Sequence, residues 1–166
     1  MFTLNDILHG NEGDVHLQCA TPPDRAQVFP AAHHDSRLIG QGDLFIAIKG
    51  ERVDGHSFIS DVARAGAGAA LCTRTASDVP ADFLQIIVPD VVKALHTTAK
   101  VRIQRQHNTA LIGITGSNGK TSTKEAVAAV LNRKAPTLKT YASYNNELGY
   151  PITLLSLRPE HRFAVL

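Results

Sequence analysis

Cysteine is nearly absent from these 166 residues. Cys19 and Cys72 stand alone with no C-x-x-C spacing, which excludes a disulfide framework and a cysteine-bound zinc, and both read as reduced core thiols. No apolar run is long enough to span a bilayer, and the start, "MFTLNDILHG", reads as a short amphipathic helix rather than a signal peptide. There is no basic run and no RNA-binding signature, and 17 basic against 15 acidic residues leave a formal net charge of +2. Neither a nucleic acid nor a membrane is indicated as a partner, and the cytoplasm is the expected location. The eight histidines are scattered, and "HH" at 33 and 34, beside Asp35, lacks a spaced third ligand for a metal. The lack of tryptophan excludes nothing.

What is present is a globular composition, 43% hydrophobic and 19% charged, enough to bury a core and too apolar for disorder. The charge is unevenly placed. Residues 1–107 hold 10 basic and 12 acidic residues, whereas residues 108–166 hold 7 and 3, a formal +4 that suits a polyphosphate partner or a solvated basic face. Thr3 caps a first helix that faces Leu4, Ile7 and Leu8 inward and ends at Gly10. Strands are predicted at 15–19, 26–29, 42–50, 69–73 and 83–88, with helices at 57–65 and, capped by Asp90, at 90–106. Strands alternating with helices predict a parallel α/β sheet. "HNTA" at 107–110 is the predicted domain boundary, dividing the chain into 1–107 and 108–166.

Beyond it, "TALI" at 109–112 reads as a short buried strand, and Ala126, Val127, Val130 and Leu131 recur at helical spacing. Between them lies "ITGSNGKTSTKE", residues 114–125. In a strand, glycine turn, helix order, successive backbone N–H groups and the positive end of the helix dipole hold an anion. Lys120 is then placed to reach the β and γ phosphates of a nucleotide, and the Thr121 hydroxyl to ligate Mg²⁺. The pattern G-x-x-x-x-G-K-[ST] is met except at its first glycine, where Ile114 stands and Gly113 comes one place early. A turn that merely joins strand to helix does not account for a lysine and a threonine at the helix start.

Downstream come an extended piece at 137–141, the loop "SYNNELGYP" at 143–151, a helix "ITLLSL" and the start of a strand in "FAVL". A phosphate-loop domain needs several parallel strands and a downstream acidic residue. The sequence therefore reads as an N-terminal piece, with "FAVL" expected to be an unpaired edge.

Three stretches, "DSRLIGQGDLFIAIKGERVDGHSFISDVARAGAGAAL" at 35–71, the phosphate loop at 114–125 and "NNELGYPITLL" at 145–155, together resemble the Mur ligases of peptidoglycan synthesis. The Lys-Glu after the loop and "NNELGYP" are most similar to the branch that adds D-alanyl-D-alanine; diaminopimelate- or lysine-adding relatives are the alternative within the family, and the N-terminal segment disfavours the folate ligases. The resemblance implies an α/β fold with an N-terminal substrate domain followed by the start of a P-loop parallel-sheet ATPase domain. It implies an ATP- and Mg²⁺-dependent ligase, monomeric at full length, that phosphorylates the terminal carboxylate of UDP-N-acetylmuramoyl-tripeptide so that the amine of D-alanyl-D-alanine can attack.

By matching positions, Gly116, Ser117, Asn118, Gly119, Lys120, Thr121 and Ser122 would hold ATP, with Lys120 and Thr121 catalytic and Thr121 on the metal. Ser36, Arg37, Lys49, Asp54, Gly55 and His56, with Asp35 and Gly50, would line the UDP-sugar site, and Asn145 and Asn146 would lie between ATP and the peptide. Read without the resemblance, Asp35 and Arg37 form a loop ion pair, the glycines form simple turns and "YNNELG" is a turn before a helix. The further metal ligands and the third domain of the family would lie outside these residues, so amide formation by them alone is not expected. A nucleotide-binding module without ligase chemistry is the reading from another class.

Overall fold

A computed structural model describes residues 1–50, 53–140 and 147–166. In chain order the elements are β1 (Phe2–Thr3), α1 (Leu4–Gly10), β2 (His16–Gln18), β3 (Val28–Phe29), β4 (Ala32–His33), β5 (Leu44–Ile46), α2 (Ile59–Arg64), β6 (Ala69–Cys72), β7 (Leu84–Ile87) and α3 (Val91–Arg105). They continue with β8 (Ala110–Ile112), α4 (Lys120–Asn132), β9 (Thr137–Lys139), α5 (Gly149–Leu155) and β10 (Phe163–Val165). Short 3₁₀ turns occupy Ser36–Leu38 and Gly55–Phe58.

A five-stranded sheet in the order β2-β7-β6-β5-β4 is parallel except for β2, which runs antiparallel to β7. Side chains of a strand alternate between faces, and both faces of this sheet are apolar. Leu44, Ile46, Ala69, Leu71, Leu84 and Ile86 share one core with Leu4 and Ile7 of α1 and Leu95 of α3. Phe45, Ala70 and Cys72 point the other way into a second core with Ile59 and Val62 of α2. Burial pushes the Cys72 thiol up to about 11, so it is an inert core group. β1 and β3 form a separate antiparallel pair.

The helix ends follow the sequence. Thr3 and Asp6 make a reciprocal capping box at α1, and the Asp90 carboxylate accepts from the Lys93 N–H at 3.0 Å at α3. Asp6, almost fully buried, is also paired with Arg105 at the far end of α3.

The second sheet has the order β8-β10-β9, all parallel. "FAVL" is thus the central strand and not an exposed edge, with Ala164 and Val165 fully buried. A fully apolar strand is most stable where both edges are paired, and the flanking β8 and β9 supply those pairs. Two elements serve both sheets. α3 gives Val91, Ala94 and Leu95 to the first core and Ala99 to a third one; α5 gives Leu155 to the first and Leu154 to the third, beside Leu157 and Ala164. The Leu157 carbonyl accepts from Arg102 Nη2 at 2.9 Å and from the N-terminal ammonium at 3.3 Å.

Several local expectations change. The strand expected to be buried at 109–112 is β8, at the edge of the second sheet with Ala110 and Leu111 exposed. The helix written as "ITLLSL" begins three residues earlier, at Gly149, taking Pro151 into its first turn, where a missing N–H costs nothing. In α4 the buried residues are Lys124 and Ala128, while Ala126 and Val130 of the expected apolar stripe are exposed. At 100° per residue, positions 126 and 130 lie opposite 124 and 128, so seating the latter pair on the sheet turns the former outward.

Candidate active site

The glycine turn follows β8 and feeds α4. Gly116 and Gly119 take positive φ, 151° and 77°, and Gly119 is the left-handed residue from which the helix starts. Residues 116–119 are exposed and form the turn itself, and Ser122 is exposed on the first turn of α4. Beside the turn lies a cavity of about 430 Å³. Ile114 and Thr115 reach it from beyond β8, Thr140 from beyond β9 and Leu166 from beyond β10, so it sits at the carboxyl ends of all three parallel strands. Crossovers leave the ligand crevice of an open parallel sheet at that end.

Lys120 and Thr121 line this cavity, as the sequence predicts for a phosphate site. Lys120 Nζ lies folded over its own loop, donating to the Gly116 carbonyl at 2.5 Å and, more weakly, the Ser117 carbonyl at 3.5 Å. A phosphate drawn into the turn would take those donors in place of the carbonyls. Sequence reasoning assigned no role to three further lining residues, Lys124, Thr140 and Tyr150. For Lys124 a signal existed, because a residue four after Lys120 lies on the same helix face.

The second group of predicted residues surrounds another cavity, of about 540 Å³. Asp35, Ser36 and Arg37 line one side, Gly50, Val53 and Gly55 the other, and Leu148 reaches it from just before α5. Asp35 caps its turn through the Arg37 N–H at 3.0 Å and takes a bidentate bond from the Arg37 guanidinium, Nε at 2.9 Å and Nη2 at 2.6 Å. The side-chain bonds from Arg37, before any other cause, hold the Asp35 carboxyl well below the usual carboxylate range. The loop ion pair is therefore formed, and Arg37, 86% exposed, keeps its outer face open to solvent.

Lys49, Asp54 and His56 do not line either cavity. Lys49 pairs with Asp54 only through an antiparallel backbone bridge, and Asp54 turns its carboxylate to His56 and Arg74. His56 is buried, with Nε2 accepting from the Thr73 N–H at 3.0 Å and Nδ1 donating to Asp54 Oδ1 at 2.7 Å. Both ring nitrogens are thus engaged, and His56 fixes the turn that presents Gly55. Asn145 and Asn146 lie outside the described residues.

The backbone N–H of His56, then its ring, then Arg74 hold the Asp54 carboxyl well below its ordinary value. A lowered folded-state value contributes stability that is complete above the unfolded value near pH 4 and fades as pH falls through the folded one. Asp54→Asn should therefore unfold more easily than the unaltered chain at pH 6–7, with the gap beginning to narrow below about pH 4 and closing only as pH falls through the lowered folded value. Urea melts at a series of pH values check this; a gap that persists undiminished into acid would show that the carboxylate charge is not what stabilises the turn.

The catalytic-domain profile of the Mur ligase family matches residues 32–139, about two thirds of the chain, and the Mur ligase middle domain matches residues 114–166. The chain belongs to the Mur ligase family. Among Mur ligases, it is 45% identical over 132 residues to the UDP-N-acetylmuramoyl-tripeptide--D-alanyl-D-alanine ligase of Synechocystis, covering 80% of this chain and 29% of that one. The ligase of the same name from Escherichia coli is 38% identical over 165 residues, 98% of this chain and 33% of that one. Among solved structures, MurF from Acinetobacter baumannii superimposes with a TM-score of 0.82 at 36% identity, over 99% of this chain and 35% of that chain. MurF ligase from Thermotoga maritima, solved in complex with ADP, gives 0.68 at 32% identity, over 81% and 31%. The chain thus spans about a third of the length of the Mur ligases it matches.

Proposed function

We propose that these residues belong to an ATP-dependent ligase that joins D-alanyl-D-alanine to UDP-N-acetylmuramoyl-tripeptide, the reaction for which the relatives are named. The observation that carries the reading is the cavity at the carboxyl ends of β8, β9 and β10, entered by Lys120 and Thr121 from the start of α4. Residues 1–107 are assigned as the UDP-sugar-peptide-binding domain and 108–166 as the first part of the central ATP-binding domain.

The residues present fit ATP. Among the described residues no Asp or Glu side chain lines the cavity, and the glycine turn offers backbone donors at a helix start. They fit Mg²⁺ only in part: the Thr121 hydroxyl is available, and among the described residues no group of three His, Cys, Asp or Glu could hold a metal. The ion would rest on Thr121 and on the phosphates themselves. ATP supplies the phosphoryl group that converts a poor acyl donor, the peptide carboxylate, into an acyl phosphate. The chain's part is to draw Lys120 off the loop carbonyls onto the transferring group and to neutralise its charge.

Ser36 and the outer face of Arg37 are assigned to the uracil or pyrophosphate of the second ligand, with Gly50, Val53 and Gly55 forming the opposite wall. Asp54 and His56 support that wall from behind. No helix among the described residues is long and apolar enough to cross a membrane. Separate calorimetric titrations of the 166-residue chain with MgATP and with UDP-N-acetylmuramoyl-tripeptide test the assignment. Both should give saturable heat, and the tripeptide titration should weaken in Arg37→Ala. A folded chain that takes up neither ligand at millimolar concentration would overturn it.

A further inference from the structure

Lys124 is 3% exposed, yet it lines the same cavity as Lys120 and Thr121. It follows Lys120 by one helical turn, so the two share a face, and helical side chains lean toward the N-terminus, carrying the Lys124 head back toward the glycine turn. Its Nζ donates to the Thr140 carbonyl at 2.6 Å, which fixes the ammonium at the carboxyl end of β9, where the cavity opens. Two lysines therefore line a cavity to which, among the described residues, no Asp or Glu side chain contributes. Glu125 Oε1 stands 3.8 Å from Lys124 Nζ, but Glu125 lies outside the lining and its other oxygen is paired with Lys139.

We propose that Lys124 is a second cation of the phosphate cavity and contacts the outermost phosphate of the bound nucleotide. The proposal rests on the nucleotide reading above and deepens it: Lys120 comes from the loop side, and Lys124 from the strand side beside Thr140. The outermost phosphate is the only one absent from ADP, so the signature is a discrimination between the two nucleotides rather than a general loss of binding.

The test measures ATP and ADP affinity by calorimetry for the 166-residue chain and for Lys124→Met and Lys124→Arg, with Mg²⁺ present throughout and the fold checked by circular dichroism. Lys124→Met should bind ATP about tenfold more weakly while its ADP affinity stays within about twofold. Lys124→Arg, which keeps the charge, should retain ATP affinity within about threefold. Equal losses for both nucleotides in Lys124→Met would assign Lys124 to holding the loop and overturn the proposal, as would no loss at all. Failure of the unaltered chain to bind either nucleotide would overturn the nucleotide reading and this proposal with it, an outcome separable from the others because it needs no variant. Should Lys124→Met not fold, the side-chain ammonium signal of Lys124 in ¹⁵N-lysine-labelled chain decides: it should move on adding ATP and hold still with ADP, and identical responses to the two would overturn the proposal.

Discussion

Lys120→Ala is expected to lower ligase turnover by two to three orders of magnitude in a chimera that joins residues 1–166 to the remainder of the Escherichia coli relative. Removing one preorganised charge from a transferring group costs about 3–4 kcal/mol of transition-state stabilisation. The fold should be nearly unaffected. Lys120 is only partly covered, and its two bonds go to carbonyls of an exposed turn, which water can satisfy, so the change in unfolding free energy should stay within about 0.5 kcal/mol. Phosphate release with both substrates, set beside a urea melt, separates the two effects. Turnover equal to that of the unaltered chimera would remove Lys120 from the chemistry.

Gly55→Ala should have the largest structural effect among the site residues. An added Cβ would stand 2.8 Å from both the backbone nitrogen and the carbonyl oxygen of Ile48 and 3.3 Å from Ala47 Cα. No side-chain rotation relieves a clash with backbone. The turn must move away from the strand end, and the 2.8 Å bond from the Gly55 N–H to the Ile48 carbonyl is lost or stretched. Overpacking of this kind costs about 1–3 kcal/mol, read as a lower urea midpoint. Because Gly55 and Gly50 wall the 540 Å³ cavity, affinity for UDP-N-acetylmuramoyl-tripeptide should fall as well, with MgATP affinity unchanged. A variant as stable as the unaltered chain would mean that the hairpin yields freely.

Much of this was legible in the residues. The caps at Thr3 and Asp90 were readable because a cap is a local event, decided by a side chain and an N–H three residues away. The glycine turn leading into α4 was readable for the same reason, since its two glycines, the lysine and the hydroxyl lie within seven residues of one another. Asp54 and His56 were read as lining the UDP-sugar site, and that the Asp54 carboxylate turns instead to the His56 ring and Arg74 was not legible. That orientation depends on Thr73 and Arg74, which approach from the end of β6 some 17–20 residues later.

The sequence by itself determined the alternation of strands and helices, the position of the glycine turn before α4 and the family likeness, because each rests on neighbours along the chain. The tertiary structure alone decided that "FAVL" would be a central strand rather than an edge, since that depends on β8 and β9 closing on it from 53 and 26 residues away. It alone decided that α4 would turn Lys124 inward and Val130 outward. The helical period of this segment allows either face to be buried, and only the sheet it lands on selects one.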